Sequence, residues 1–150
     1  MQLELSLQFP YKIHKHFLPK SIINFWIKSA IKHIPNFNKN LMINIRFVDN
    51  DEAHTLNKNY RHKDYATNVL TFAYDEIAEY INADIVLCCH VVEKEALNEK
   101  KAILAHYAHL IIHGLLHACS YEHDTDKSNE IMQGLEAKIM LYLGFKSPYL

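Results

Sequence analysis

Glycine is scarce in this chain, with only three among 150 residues. A loop that cradles phosphate groups needs several closely spaced glycines, so we do not expect a nucleoside triphosphate site. No apolar run approaches the roughly 20 residues needed to cross a bilayer. The N-terminus also lacks a charged leader followed by an apolar core. We therefore expect neither a membrane protein nor a secreted one.

Cysteine is equally sparse. The chain has three cysteines, two of them adjacent at Cys88 and Cys89, and no Cys-x-x-Cys pair. This pattern argues against a disulfide framework and against a zinc site built on thiolates, and it is typical of a reducing compartment. We expect a cytoplasmic protein. A formal net charge of −1 and a pI of about 6.8 neither require nor exclude an RNA partner.

The remaining composition is that of an ordinary globular protein, 49% hydrophobic and 22% charged. This length suits a single domain spanning residues 1–150. Hydrophobic periodicity predicts strands at residues 3–9, 41–48, 67–74 and 83–89. It predicts helices at residues 21–34, 50–60, 91–119 with a break near 97–99, and 127–143. The order βαβαββ followed by helices predicts an α+β domain with one mixed four-stranded sheet and about five helices.

Three histidines near the C-terminus carry the strongest chemical signal. His113 and His117 are four residues apart in a predicted helix, so both project from one face with their Cβ atoms about 5–6 Å apart. The residues after His117 let the chain leave the helix and bring His123 back from a third direction. Three nitrogen ligands leave the fourth position of a tetrahedral zinc ion open, which is typical of catalytic sites. The pattern predicts one zinc ion per chain that activates water for hydrolysis.

His109 is the competing third ligand. The chain has 11 histidines, so close pairs arise by chance, and a histidine on an apolar helix is often a core residue. His109, His113 and His117 form a stripe about 12 Å long on a straight helix, which is too long for bonds of about 2 Å to one ion. We therefore favour His123 as the third ligand. We expect His109 beside the ligands or on the substrate side, with core packing as the alternative.

The residue after the first histidine argues against a peptidase. Zinc peptidases with a His-Glu-x-x-His motif carry a glutamate general base at that position, whereas this chain has Gly114. We expect Gly114 to allow close packing of the helix near the ion. Glu122, Asp124 and Asp126 could orient an imidazole or act as a base, although capping of the last helix is the favoured role for them.

Two separate segments follow the motifs of a known family. The central segment runs from Leu56 to Phe72 around Tyr60 and Arg61, and the C-terminal segment follows the pattern His-Gly-x-Leu-His-x-x-x-Tyr-Asp-His. The C-terminal matches are His113, Gly114, Leu116, His117, Tyr121 and His123. Together the segments resemble the YbeY family of bacterial endoribonucleases and rRNA maturation factors. The resemblance extends over residues 40–145 in the same order.

This resemblance implies a function and a set of site residues. It implies that His113, His117 and His123 bind zinc and that single-stranded RNA is the substrate. It further implies that the protein matures the 3′ end of 16S ribosomal RNA in ribosome biogenesis, with the small ribosomal subunit as a partner. It also implies a catalytic role for Arg61, whose guanidinium can hold two phosphate oxygens. From the residues alone, Arg61 is an ordinary surface arginine. Three imidazoles also suit nickel, copper or iron, so another transition metal stays an alternative.

Seven positions differ from what is common in the family, namely Ala66, Asn68, Thr71, Ala73, Ala118, Ser120 and Glu122. Asn68 replaces an aspartate whose charge could orient a ligand imidazole or an arginine. Ser120 replaces a glycine, which matters if the chain takes a left-handed turn after the helix. Glu122 replaces an aspartate. None of these differences removes a proposed ligand, and Tyr121 is retained, either to stack on a base or to pack.

Two other functions stay open at this point. One is a non-enzymatic ribosome-assembly module in which the ion only holds the C-terminal loop. That function requires a protein group such as Cys119 or Glu122 to complete the metal's coordination shell. The other is a metallohydrolase that acts on a different substrate. A vacant fourth coordination position favours an enzyme over the assembly module.

Overall fold

The computed structural model describes residues 1–10, 18–74 and 79–149. Within these ranges the chain forms four strands and five helices in the order βαβαββααα. The strands are β1 (Leu3–Gln8), β2 (Asn40–Val48), β3 (Val69–Ala73) and β4 (Tyr80–Cys88). The helices are α1 (Lys20–Ile31), α2 (Asn50–Arg61), α3 (Cys89–Asn98), α4 (Ile103–Ala118) and α5 (Asp126–Tyr142). None of the helices in the described ranges has both the length and the apolar character that a membrane span requires.

The four strands form one mixed sheet in the order β1-β2-β4-β3. β1 and β4 both pair in parallel with β2, whereas β3 pairs antiparallel with β4. Parallel neighbours need a crossover connection, and α1 provides the one between β1 and β2. The predicted α+β domain with a mixed four-stranded sheet and five helices is therefore confirmed.

The main hydrophobic core lies between one face of the sheet and the helices α1, α4 and α5. Alternate residues of each strand point into it because side chains alternate between the two faces of a sheet. On the two central strands the inward residues are Leu41, Ile43, Ile45, Phe47, Ile81, Ala83, Ile85 and Leu87. The predicted inward set of Ile43, Ile45 and Phe47 is thus confirmed.

Helix α2 belongs to a smaller apolar cluster that includes Leu70 of β3 and Val86 of β4. The helix begins where predicted, because the carboxylate of Asp49 accepts a hydrogen bond from the backbone N–H of Glu52 at 2.9 Å. This placement brings the last residue of α2, Arg61, to the edge of the sheet formed by β3. The end of α2 and the start of β3 therefore lie near each other.

Helix α4 packs closely against the sheet because it carries a glycine. A Cβ atom added at Gly114 would lie 3.0 Å from Oγ1 of Thr71 on β3 and 3.1 Å from Cγ2 of Ile85 on β4. These distances are shorter than ordinary contacts of about 3.5–4.0 Å between non-bonded carbons. The expected role of Gly114 in close helix packing is therefore visible, and it fixes the histidine-bearing end of α4 relative to the sheet.

The chain reverses direction directly after α4. Ser120 has a φ of 72°, in the left-handed region, and the backbone N–H of Tyr121 donates to the carbonyl of Leu116 at 2.9 Å. For a residue other than glycine, this backbone conformation is about 1–2 kcal/mol less favourable than the right-handed one. The left-handed turn expected at Ser120 is present, and it directs the following residues back toward the last turn of α4.

The contrast between two helical glycines gives a test of the close packing. Replacing Gly114 with alanine is expected to lower the free energy of unfolding by about 1 kcal/mol, because overpacking of about 1–3 kcal/mol outweighs the gain in helix propensity. Gly134 of α5 has open space where a Cβ would stand, so Gly134→Ala is expected to raise the free energy of unfolding by about 0.5–1 kcal/mol. Urea unfolding measures both values. Equal stabilisation by the two substitutions would contradict the close approach at Gly114.

Candidate metal centre

Three imidazoles converge at the C-terminal end of α4. His113 and His117 lie on one face of the helix, and His123 lies in the segment between α4 and α5. One nitrogen from each ring lies within 4.8 Å of the others. The ring centroids are 4.5 Å apart for His113 and His117, 4.8 Å for His117 and His123, and 5.7 Å for His113 and His123. The structure therefore brings together the three histidines that the spacing singled out.

Hydrogen bonds fix the orientation of two of these rings. The Nδ1–H of His113 donates to Oε1 of Glu136 at 2.8 Å, and the Nδ1–H of His117 donates to the carbonyl of Tyr121 at 2.9 Å. Both partners are acceptors, so in the neutral imidazoles each proton is on Nδ1 and each Nε2 presents a lone pair. Both Nε2 atoms are thereby available as metal ligands.

The two Nε2 atoms lie 3.0 Å from each other. Two neutral rings with their protons on Nδ1 have no proton to share between these atoms, so the lone pairs repel one another. A cation between them removes that repulsion. Tetrahedral zinc with bonds of about 2.0–2.1 Å places neighbouring nitrogens about 3.3–3.4 Å apart, which is close to the observed separation. The donor set therefore fits a zinc-sized ion.

The surroundings favour the neutral form of His117. Burial lowers the pKa of this imidazole, and the nearby His113 and His123 add to the effect. The hydrogen bond to the Tyr121 carbonyl and the neighbouring Glu122 act in the opposite direction but do not outweigh it. A lowered pKa keeps the metal-binding lone pair of His117 available at neutral pH.

Glu136 of α5 connects the histidines to the core. Its side chain is 1% exposed. Oε1 accepts from His113, while Oε2 accepts from Nε2–H of His109 at 2.6 Å and from the hydroxyl of Tyr149. Burial raises the pKa of Glu136, but these three hydrogen bonds outweigh it and lower the pKa to about 2. The residue is therefore a fixed negative charge beside His113.

The role of Glu136 was not predicted from the sequence, although the sequence contains a signal for it. Helical spacing places Glu136 on the same face of α5 as Met132, Ile139 and Met140, all of which are buried. A carboxylate among apolar positions of an amphipathic helix has to be paired. Its position therefore called for a partner on a neighbouring element, and two histidines on α4 provide it.

His109 lies on the far side of Glu136 from the other histidines. His109, His113 and Glu136 also have donor atoms within 4.8 Å of one another. Their contacts, however, are hydrogen bonds of 2.6 and 2.8 Å, which are shorter than the spacing of ligands around one ion. His109 therefore stands beside the three converging histidines, in contact with Glu136, and does not join them.

A polar cavity of about 380 Å³ opens in front of the three histidines. Its other wall comes from the end of α2, the following loop and β3. Arg61 lines the cavity with its guanidinium exposed, and its Nη2 lies 3.4 Å from the carbonyl of Thr71. The remaining lining residues include Asn57, Lys63, Tyr65, Thr67 and Asn68. A cationic side chain and three imidazoles thus face the same concave space.

Asn68 lines this cavity, and within the described ranges its side-chain hydrogen bonds do not involve one of the three converging imidazoles. Its amide donates to Oε1 of Glu95 on α3 at 2.9 Å and accepts from the backbone N–H of Val69 at 2.6 Å. The same Glu95 oxygen lies 2.9 Å from Nε2 of the buried His106. An amide suits this position because it can donate to Glu95, whereas an aspartate would repel it. Asn68 therefore anchors the start of β3.

The residues after the turn contribute less directly. Tyr121 offers its carbonyl to His117, while its partly buried ring packs against the main core. Glu122 is largely exposed, and its Oε2 is 3.8 Å from Nδ1 of His117. The cap of α5 is Thr125, which accepts from the backbone N–H of Ser128 at 3.0 Å. The capping role favoured for the three acidic residues is wrong at the N-cap position itself, which Thr125 occupies, whereas Asp126 lies in the first turn of α5, where a carboxylate suits the helix dipole.

The cluster has no fourth member in the described part of the chain. Among residues 1–10, 18–74 and 79–149, no cysteine, aspartate, glutamate or further histidine joins the three histidines within ligand spacing. Neither Cys119 nor Glu122 completes the set. An ion held here would keep a coordination position open toward the cavity, as catalytic zinc sites do.

Comparison with known proteins identifies the family of the chain. The family described as Endoribonuclease YbeY matches residues 11–144 of the chain. A protein named Endoribonuclease YbeY from Paraburkholderia phytofirmans is 46% identical over 153 residues, covering 99% of this chain and 96% of its own. A protein of the same name from Janthinobacterium sp. (strain Marseille) is 44% identical over 151 residues, covering 99% and 95%.

A solved structure shares the fold. The solution structure of TM1509 from Thermotoga maritima aligns with a TM-score of 0.55 at 20% sequence identity. The alignment covers 95% of this chain and 92% of the other. Extensive identity along the whole chain, together with the family match over residues 11–144, decides the assignment. This chain belongs to the YbeY endoribonuclease family.

Proposed function

We propose that this protein is a zinc-dependent endoribonuclease that hydrolyses phosphodiester bonds in single-stranded RNA. The observation that carries the proposal is the pair of Nε2 lone pairs on His113 and His117, 3.0 Å apart at the wall of a polar cavity. Family membership provides the reaction class, because the relatives are named endoribonucleases. The arrangement of the site provides the groups that such a reaction needs.

His113, His117 and His123 hold the ion through one nitrogen each. A zinc ion at this position lowers the pKa of water toward about 7 and polarises a phosphoryl oxygen, which are the two effects that phosphodiester hydrolysis requires. The protein keeps His113 and His117 in the productive tautomer through Glu136 and the Tyr121 carbonyl. Three neutral imidazoles suit zinc, which we propose as the native metal.

Arg61 provides a guanidinium at the cavity. Negative charge builds on the phosphoryl oxygens as the reaction proceeds, and a nearby donor in a partly enclosed site stabilises it. Among the described residues, the guanidinium makes a single long hydrogen bond, 3.4 Å to the Thr71 carbonyl. Its remaining N–H groups can therefore donate to phosphate oxygens, in the bidentate arrangement that arginine favours.

The shape of the site favours single strands over duplexes. The three histidines and Arg61 lie on the walls of a cavity and not on a flat surface. A single strand can bend and insert one phosphate with its unstacked base, whereas a duplex holds its phosphates on a rigid helix. The ring of Tyr65 lies at the same cavity and is available for a base to stack on.

We further propose ribosomal RNA as the physiological substrate and the small ribosomal subunit as a partner, in the cytoplasm. This follows from the resemblance of both sequence motifs to rRNA maturation factors. A formal net charge of −1 gives little general attraction for free RNA. Recruitment through the ribosome compensates for weak affinity, because it raises the local concentration of the RNA site.

Two alternatives are less well supported. A structural ion in an assembly module calls for a closed coordination shell, whereas the described residues provide three ligands that face a cavity. A zinc peptidase needs a general base after the first histidine, and Gly114 has no side chain there and packs against the sheet. Both the open ligand set and the glycine at position 114 favour a nuclease over these alternatives.

The proposed function is tested with a labelled RNA supplied as a single strand and as a duplex of the same sequence. Wild-type protein is expected to cleave the single strand at least about tenfold faster than the duplex. Removal of metal with a chelator is expected to abolish cleavage, and one equivalent of zinc is expected to restore it. Cleavage that persists without metal would contradict the proposal, as would hydrolysis of a peptide substrate in place of RNA.

A further inference from the structure

Tyr149 lies next to the C-terminus of the chain, yet its side chain reaches the metal centre's supporting carboxylate. Its hydroxyl donates to Oε2 of Glu136 and lies 3.3 Å from Nε2 of His109. The ring meets that of His109 edge-on, with the centroids 5.6 Å apart. Glu136 accepts from His113 through its other oxygen. A continuous path of contacts therefore joins Tyr149 to a proposed ligand.

The segment that follows α5 folds back toward α4 and so brings Tyr149 to Glu136. Gly144 follows α5 with a φ of 89° and turns the chain. The ring of Phe145 then packs edge-on against Trp26, with the centroids 6.2 Å apart, and its backbone N–H donates to the carbonyl of Met140 at 2.9 Å. This anchor returns residues 145–149 toward α4. Tyr149 is 42% exposed, whereas Glu136, which accepts a hydrogen bond from its hydroxyl, is 1% exposed.

We propose that Tyr149 is a positioning residue for the metal centre and acts through Glu136 on His113. A carboxylate that accepts only from His113 can rotate about its terminal bond. The Tyr149 hydroxyl and the His109 ring hold Oε2 and so keep Oε1 on the Nδ1–H of His113. Partners of this kind fix the orientation of a ligand imidazole and strengthen its bond to the ion. The inference rests on the proposed metal site but not on the RNA substrate.

The inference predicts a loss of zinc affinity in Tyr149→Phe, measured by competition with a chromophoric chelator. Removing a partner that contacts a metal ligand costs about 10–100-fold in affinity. Tyr149 acts one contact farther away, so we expect a weakening of about 3–10-fold. The matched control is Tyr142→Phe, which removes a hydroxyl from an exposed tyrosine at the end of α5. The control is expected to bind zinc like wild type.

A double-mutant cycle with Glu136→Leu, which has no acceptor for the Tyr149 hydroxyl, separates positioning from a general structural effect. If Tyr149 acts through Glu136, Tyr149→Phe is expected to change zinc affinity in the wild-type background and to leave it unchanged when Glu136→Leu is already present. The same loss in both backgrounds would overturn the inference, and so would unchanged affinity in Tyr149→Phe. Wild-type protein that binds no zinc would overturn the proposed metal site first, which distinguishes the two failures.

Discussion

Replacing His117 with alanine is expected to abolish both zinc binding and RNA cleavage. His117 provides a lone pair that faces His113 at 3.0 Å, and its loss leaves two ligands on one ion. The binding free energy of zinc at sites with four ligands is about 10–16 kcal/mol. An equal share for each ligand is about 3–4 kcal/mol, which corresponds to about 10²–10³-fold in affinity. Bound metal by elemental analysis and cleavage of labelled single-stranded RNA are measured on the same preparation.

Two further variants make the His117 result interpretable. His123→Ala removes the ligand that is exposed in a loop, so it is expected to cause the same loss of metal without a change in core packing. His90→Ala removes an exposed imidazole on α3 that does not line the cavity, and it is expected to retain metal and activity. Full metal content and full cleavage in both His117→Ala and His123→Ala would refute the three-histidine site.

Replacing Arg61 with alanine is expected to leave zinc content unchanged and to reduce cleavage by about 10²–10³-fold, mainly in kcat. Removal of one donor that stabilises developing negative charge has an effect of this size in other hydrolases. Arg61 lines the same cavity as the histidines, and its hydrogen bond within the described part of the chain goes to the Thr71 carbonyl and not to them. The metal site is therefore expected to stay intact, which elemental analysis verifies.

The matched control for Arg61 is Lys58, one turn earlier on the same helix. Lys58 is an exposed cation 4.0 Å from Asp64 and does not line the cavity. Lys58→Ala changes the net charge by the same amount as Arg61→Ala, but it is expected to retain nearly full activity because Lys58 does not line the cavity. Arg61→Lys keeps the charge but loses the bidentate geometry, so partial activity is expected. Equal losses in the Lys58 and Arg61 alanine variants would indicate a general electrostatic effect and contradict the assigned role.

Short-range patterns predicted the histidine cluster well. His113 and His117 face the same way because four residues complete about one helical turn, and the turn at Ser120 then needed only to return the chain. The β-strand alternation of β2 likewise identified its buried face. These features depend on residues close together in the chain, so local sequence patterns are enough to predict them.

Long-range pairing explains where the sequence-based description of the fold fell short. The prediction started the last strand at residue 83, but β4 begins at Tyr80, because residues 80–82 pair in register with residues 40–42 of β2. The polar Asn82 interrupts the apolar run and concealed this extension. The sheet order β1-β2-β4-β3 also depends on contacts between distant segments, which no local pattern specifies.

The supporting residues of the site were missed for the same reason. Glu136 and His113 are 23 residues apart, and Tyr149 and His109 are 40 apart. Their contacts require α5 to pack beside α4 and the C-terminal segment to fold back. A buried charge on α5 indicated that a partner was needed, but the partner itself became visible only in the folded chain.

The most direct test of the account is a crystal structure of the zinc-loaded protein with anomalous diffraction recorded at the zinc edge. We predict one anomalous peak per chain, about 2.0–2.1 Å from one nitrogen each of His113, His117 and His123, with the fourth position facing the Arg61 cavity. A peak whose shell is closed by a fourth protein ligand would favour a structural ion. A peak held by Glu136 and His109, or none near these histidines, would contradict the proposed catalytic centre.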